Sequence, residues 1–345
     1  MQTTDFEFKR IPAPLLSWYD KNKRDLAWRK NPTPYRVWVS EIMLQQTRVE
    51  AVKEYYDRFM RALPTIADLA DCEEEKLLKL WEGLGYYSRV RNMQKTAKLV
   101  VENYGGEFPS DEKALKNLPG IGAYTVGAIR SIAFGLPAPA VDGNVFRVIS
   151  RLSENPTVIS EPAYRTYLER ELLKIYPKQG ERCSAFTQSL MELGALICKP
   201  QTPDCGVCPL KGICRAFANG TQSEYPVLPE KKSKKSERRY VFLIKTPQGV
   251  SLRKRTAGVL KGMTEFPSEP IENKTPEEIL KSWGVGAFTI KNRKTFAHIF
   301  THIKWEMVCL LVEAESAPFE NRTVEEIKTQ VSLPTAFRQC LSLLD

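Results

Sequence analysis

The sequence predicts a mainly α-helical N-terminal domain followed by a smaller α+β domain. Three observations predict it. Up to Asn219 apolar residues recur at spacings of three and four, as in Glu75-Lys76-Leu77-Leu78-Lys79-Leu80-Trp81, the period of helices with one buried face. From Glu224 to Arg239 the composition turns to proline and lysine, with Pro226, Pro229 and the run Lys231-Lys232-Ser233-Lys234-Lys235, which reads as an extended charged linker. Beyond it, Tyr240-Val241-Phe242-Leu243-Ile244 and Val250-Ser251-Leu252 flank Pro247-Gln248-Gly249 like a hairpin. The expected boundaries are 1–219, 220–238 and 239–345, and 345 residues suit two domains at roughly 150 each.

Lysine and arginine total 51 against 41 acidic residues, a formal net charge of +10 that favours a polyanionic partner. Met1 to Lys9 is polar with no apolar signal core, and no stretch approaches the ~18 apolar residues of a membrane span. The expectation is an intracellular protein in a reducing compartment, with no membrane partner. Its eight cysteines then read as thiols or metal ligands, not as disulfides. Cys72, Cys183, Cys309 and Cys340 lie apart and read as buried thiols.

About ten helices are expected in the first domain. Thr33 and Pro34 start one of them, which carries Glu41 among Val37, Trp38, Leu44 and Gln45. A carboxyl among mostly apolar neighbours is desolvated, so its pKa rises and it can hold a proton near neutrality, as a general acid requires. Further on, Ser110 reads as an N-cap and Asp111 to Asn117 as a short helix. Leu118-Pro119-Gly120-Ile121-Gly122 then makes a tight turn into a second helix, from about Ala123 to Ala133. The start of that helix turns bare N–H groups and a positive dipole end outward, where a phosphate can sit on Gly120, Ile121 and Gly122. The whole string between two helices resembles the helix–hairpin–helix pattern of DNA repair proteins.

Asp142 in Val141-Asp142-Gly143-Asn144 reads as a loop entering a helix, whose positive end is expected to lower the aspartate's pKa. An acid and a permanent anion suit cleavage of a glycosidic bond through an oxocarbenium-like state. Each residue alone has a plainer explanation, Glu41 as a half-exposed helix residue and Asp142 as an ordinary cap. The last part of the helical region holds Cys198, Cys205, Cys208 and Cys214 as C-x6-C-x2-C-x5-C. Four cysteines so close can reach one metal centre, and both zinc and a cubane iron–sulfur cluster accept them. Uneven spacing with a single C-x2-C leans towards iron–sulfur without deciding it. In the second domain Thr275 to Trp283 and Thr323 to Val331 read as helices and Trp305 to Glu313 as a strand.

Taken together, Trp38 to Thr47, Gly83-Leu84-Gly85-Tyr86-Tyr87-Ser88-Arg89, Leu118 to Thr125, Val141 to Arg147 and the four cysteines resemble the MutY-type adenine DNA glycosylases of the endonuclease III superfamily. The resemblance implies a glycosylase domain in two helical lobes with an iron–sulfur loop, followed by a Nudix-like domain. It implies a monomeric, cytoplasmic, nucleoid-associated enzyme of bacterial type. That enzyme flips adenine, mispaired with 8-oxoguanine, out of double-stranded DNA. By resemblance Glu41 protonates adenine, Asp142 supports the sugar cation, and Tyr124 and Asn144 line the reacting centre. Leu26, Trp28, Arg29, Val49 and Gln188 match the adenine pocket. Gln46, Thr47, Leu84 and Tyr86 match the residues that wedge in beside the lesion. The four cysteines match the ligands of a 4Fe-4S cluster.

Position 124 separates the subfamilies. Strand-cutting relatives carry a lysine there, whose amine attacks the sugar; Gly122-Ala123-Tyr124-Thr125 offers none, so a monofunctional glycosylase is expected. In the Nudix-like domain the family's Phe-Ser-His hairpin reads Phe300-Thr301-His302, expected to contact 8-oxoguanine, with the serine replaced by threonine. The family's Gly-Met-Trp-Glu-Phe-Pro reads Gly262-Met263-Thr264-Glu265-Phe266-Pro267, without its tryptophan. No Arg-Glu-x-x-Glu-Glu helix is present to hold magnesium, so this domain is expected to bind and not to hydrolyse. Two other readings are a glycosylase for oxidised pyrimidines or thymine mismatches, and a non-catalytic DNA-binding protein with structural zinc. Tyr124 and the appended domain argue against the first, and the joint presence of Glu41 and Asp142 against the second.

Overall fold

The computed structural model describes residues 5–230 and 233–344. Lys231 and Lys232 of the predicted lysine run lie outside the described residues. The chain divides into two compact units, 1–71 with 92–230 and 72–91 with 231–345. Among the described residues no helix is long and apolar enough to cross a membrane.

The first unit is helical. Its early helices are α1 (Pro12–Asn22), α2 (Ala27–Lys30), α3 (Pro34–Leu44), α4 (Val49–Ala62) and α5 (Ile66–Asp71). Helix α6 (Glu74–Leu80) belongs to the second unit, and the division falls inside α7 (Ser88–Tyr104). Then come α8 (Glu112–Lys116), α9 (Ala123–Ala128) with a π-helical continuation at Ile129–Ala133, α10 (Gly143–Ser153), α11 (Pro162–Leu173), α12 (Glu181–Leu196) and α13 (Arg215–Asn219). These helices exceed the ten expected because several are a turn or two long. Val145, Phe146 and Ile149 of α10 pack with Tyr164 and Leu168 of α11 and with Phe186, Leu190 and Leu193 of α12. The three-and-four spacing of these residues is what turns one face of each helix inward.

Thr33 caps α3, accepting from the Arg36 amide at 3.4 Å, with Pro34 at the first helical position. The cap of α8 differs from expectation: Asp111, not Ser110, accepts from the Ala114 amide at 2.8 Å. A carboxylate one residue nearer the helix gains more from its positive end.

The second unit is built on a mixed sheet of β1 (Lys235–Thr246), β2 (Gly249–Lys254), β3 (Thr264–Glu265), β4 (Ser268–Pro270), β5 (Phe288–Ile299), β6 (Ile303–Ala314) and β7 (Glu320–Arg322). The main order is β3-β2-β1-β6-β5, with β1 and β6 parallel. The predicted hairpin is there, closing on Thr246 opposite Gly249. Strand alternation splits the core. Phe242, Ile244, Leu310 and Val312 face α14 (Pro276–Ser282), while Val241, Leu243, Trp305 and Met307 pack with α15 (Val324–Thr329) and α16 (Thr335–Arg338). Thr275 and Thr323 start their helices with full capping boxes.

Two boundaries differ from the sequence reading. Residues 235–238, assigned to the linker, open β1 and pair with residues 303–306. They are mostly exposed, so their polarity looked like a tether. Segment 72–91, which reads as ordinary helical sequence, groups with the second unit. There the Ser332 hydroxyl donates to Leu78 O and the Glu82 carboxylate accepts from the Leu333 amide at 2.9 Å. Cys309 and Cys340, expected as separate thiols, are fully buried neighbours with Cα atoms 6.2 Å apart, paired as a disulfide.

Candidate active site

The first unit encloses a cleft of about 860 Å³. Helix α3 brings Glu41 into its wall, 6% exposed, and the Tyr124 hydroxyl of α9 donates to Glu41 Oε2. Tyr124 is the second residue of α9 because Gly120, at φ +75°, turns the chain sharply after α8. Thr96 locks that turn by donating to Pro119 O at 2.7 Å. Asp142 arrives on the segment that follows. A Cβ on Gly127 would lie 2.1 Å from Pro139 O, so this extended segment crosses α9 at a distance only glycine permits.

Asp142 is the N-cap of α10. Its Oδ1 accepts from the Val145 amide at 2.8 Å and its Oδ2 from Asn144 Nδ2 at 2.7 Å. Asn144 Oδ1 in turn accepts from Arg147 Nη2 at 2.7 Å. A Cβ at position 194 would come within 2.5 Å of Asn144 Cβ, so Gly194 of α12 lets the asparagine lie flat against that helix.

The two carboxyls titrate differently. Burial pushes Glu41 up to about 7, against the Tyr124 hydrogen bond that lowers it; the charge of Asp142 adds to the rise and Arg29 opposes it. Asp142 was expected to fall and instead rises, because burial outweighs the Val145 amide, the Asn144 amide and the Arg147 charge. The cap exists as read; the sequence did not reveal how deep the carboxyl lies. Asp142 has more hydrogen-bond donors than Glu41, and these favour its charged form against burial. The cleft therefore sets a carboxyl that keeps its proton near neutrality beside a second, capped carboxyl, in a space large enough for a purine.

Residues 39–177 match the family model of the HhH-GPD superfamily base excision DNA repair proteins, and residues 240–343 match the NUDIX domain. The chain is 33% identical over 300 residues to the adenine DNA glycosylase of Buchnera aphidicola subsp. Schizaphis graminum, covering 86% of each protein. The chain belongs to the adenine DNA glycosylase family. It is also 44% identical over 227 residues to the Rattus norvegicus adenine DNA glycosylase, covering 62% of this chain but only 43% of the rat protein's length. Endonuclease III, solved as a non-covalent complex with DNA, superposes with a TM-score of 0.54 at 28% identity, over 64% of this chain and the whole of that one.

In this member of the adenine DNA glycosylase family, Leu26, Trp28, Arg29, Val49 and Gln188 line the same cleft as Glu41, Tyr124, Asp142 and Asn144. Gln46 and Thr47 line it too. The remaining expected lesion residues lie in the second unit. Tyr86, Phe300, Thr301 and His302 border a largely apolar cavity of about 500 Å³. The Tyr86 hydroxyl and Thr301 Oγ1 are hydrogen-bonded at 2.6 Å, and Phe300 packs edge-on between His298 and Trp305. Leu84 does not join them: its side chain is buried, at 6% exposure, and a wedge needs an exposed one. Gly83 and Gly85, both at positive φ, turn the chain so that Leu84 points in and Tyr86 out.

The four cysteines line one small apolar cavity beneath α10 and α13. Burial pushes the Cys208 and Cys214 thiols up to about 11. Arg151, 2% exposed, donates to Cys198 Sγ at 3.4 Å and to Lys199 O, Pro200 O, Gln222 O and Tyr225 O. Among the described residues no three His, Cys, Asp or Glu are placed to hold a metal ion as they stand. By donor type, number and shared cavity the cysteines nonetheless fit a soft, thiolate-bound centre. Sequence reasoning missed Arg24 and Glu192, which also line the cleft. Their one signal is that Glu192 follows Gln188 by four on α12; nothing local marks Arg24 in a run of surface charges.

Proposed function

We propose that this protein hydrolyses the N-glycosidic bond of adenine mispaired with 8-oxoguanine, without cutting the strand. The observation that carries this reading is that Glu41, holding its proton near neutrality, shares a cleft with the capped carboxylate of Asp142. A flipped adenine occupies the cleft between Trp28, Val49 and Gln188. Glu41 delivers its proton to the base and makes it a neutral leaving group. The C–N bond breaks, the sugar carbon becomes cationic, and ionised Asp142 stabilises it by its charge. Tyr124 holds the Glu41 carboxyl in place, and among the described residues no lysine lines the cleft to form a Schiff base and open the strand. Water attacks the sugar carbon, its proton passes to the Glu41 carboxylate left after the first step, and an abasic site remains.

The backbone at Gly120 to Gly122 would hold a phosphate of the target strand. Tyr86, Thr301 and His302 would meet the 8-oxoguanine. Cys198, Cys205, Cys208 and Cys214 would hold a 4Fe-4S cluster, which would fix the loop they occupy. The chain works as a monomer on cytoplasmic DNA, drawn to it by a surplus of ten positive charges.

The test is base release from a defined duplex with adenine opposite 8-oxoguanine, with and without alkali. Strand breakage is expected only after alkali. Glu41→Gln is expected to lose at least about a hundredfold in release while still binding the duplex. Release by the variant at the parental rate would remove Glu41 from the mechanism.

A further inference from the structure

One carboxylate in the cleft wall has no part in the chemistry above. Glu192 of α12 is 1% exposed and is the hub of five hydrogen bonds. Arg24 donates through its backbone N at 2.9 Å, Nε at 2.9 Å and Nη2 at 2.8 Å. Arg29 donates through Nη1 at 3.1 Å and Nη2 at 2.8 Å. Arg29 also donates to Arg24 O at 3.1 Å and lies over the Tyr19 ring. The segment so held carries Leu26, Trp28 and Arg29 into the cleft, and its only helix, Ala27–Lys30, is too short to keep its own shape.

We propose that Glu192 is the positioning residue of the base pocket: it anchors the 24–30 segment and cancels one of the two guanidinium charges bound to it, those of Arg24 and Arg29, so that Glu41 enters the reaction protonated. The inference rests on the reading of Glu41 as the acid. Facing Glu41 are the Tyr124 hydroxyl, Asp142 and Arg29, and Arg24, Arg48, Glu50, Arg147 and Arg165 line the rest of the cleft. With Glu192 ionised, the Arg24–Arg29–Glu192 group carries a single positive charge; without it the group carries two, and the added cation draws the proton off Glu41. Burial pushes Glu192 up, but the hydrogen bonds from Arg24 and Arg29 outweigh it and hold the carboxyl at about 2, so it is charged wherever the reaction runs. A bare structural brace would lower the rate equally at every pH.

The test is the pH profile of single-turnover base release by the full chain, for the parent, Glu192→Gln, Arg24→Met and the double variant. The alkaline limb is expected to move down by about one pH unit in Glu192→Gln and up in Arg24→Met. It returns to the parental position in the double variant, where the lost charges cancel. Limbs that stay put in both single variants, or move the same way, would reduce Glu192 to a brace. Thermal melts show which variants fold; if Glu192→Gln does not, Arg24→Met and the double variant decide. Parental release by Glu41→Gln marks a different failure, that of the acid itself.

Discussion

Two buried glutamates stand in one cleft and are treated in opposite ways. Around Glu41 the wall is made by α3, α9 and the segment before α10, and one neutral hydroxyl, that of Tyr124, is hydrogen-bonded to the carboxyl. Around Glu192 the wall supplies two guanidinium groups and a backbone amide. Both carboxyls pay for burial, but only Glu192 is compensated, so one sits at about 7 and the other at about 2. The first keeps its proton near neutrality at a cost in stability, and the second stays charged and binds two arginines. Burial by itself therefore says nothing about function here; the partners decide.

Removing each charge without changing shape should separate the two. Glu192→Gln leaves two half-buried guanidinium groups without an anion, and is expected to destabilise the fold by about 3 kcal/mol or more at pH 8. Glu41→Gln is expected to do the reverse. A carboxyl whose pKa is raised on folding contributes stability in full below its unfolded value of 4.5, and the contribution is lost as pH rises through about 7. At pH 8 the native state thus carries an uncompensated buried charge that glutamine lacks. The variant is expected to gain up to about 3 kcal/mol there, with the gain vanishing near pH 4. Melting curves of both variants from pH 4 to 8 check this. Shifts of the same sign at pH 8 would break the comparison.

How much of this was legible beforehand follows from the range of the forces involved. Local signals read through: Thr33 and Pro34 starting α3, the glycine turn before α9, the hairpin after Thr246 and the helices that begin beyond Thr275 and Thr323. Apolar neighbours three and four away gave the direction of the Glu41 shift. The same local view saw Asp142 as a cap and got its shift backwards, because burial there comes from distant parts, including the close approaches at Gly127 and Gly194. Glu192 and Arg24 are 168 positions apart, and no periodicity ties them. Segment 72–91 has good helical spacing, which says that it is buried but not with which unit.

The second unit offers the mildest test of the same contrast. Its cavity is lined by aromatic, hydroxyl and basic groups, including Tyr86, Arg91, Thr301 and His302, with no carboxyl among the described residues that line it. A surface of that kind can recognise a base but has no acid to deliver. Changes there should alter which opposing base is preferred and leave the chemical step alone. The Tyr86 hydroxyl is hydrogen-bonded there to Thr301 Oγ1, at the position where the family resemblance gives a serine. Thr301→Val keeps the shape and removes the hydroxyl, at a cost of about 1 kcal/mol for a hydrogen bond of this kind, or roughly fivefold in the preference for 8-oxoguanine over guanine. Thr301→Ser keeps the hydroxyl and is expected to keep the preference. The measurement is the ratio of base-release rates on the two duplexes under subsaturating conditions, beside the single-turnover rate at saturation. A fall in the saturated rate with an unchanged ratio would mean that this hydroxyl serves the reaction and not the choice of substrate.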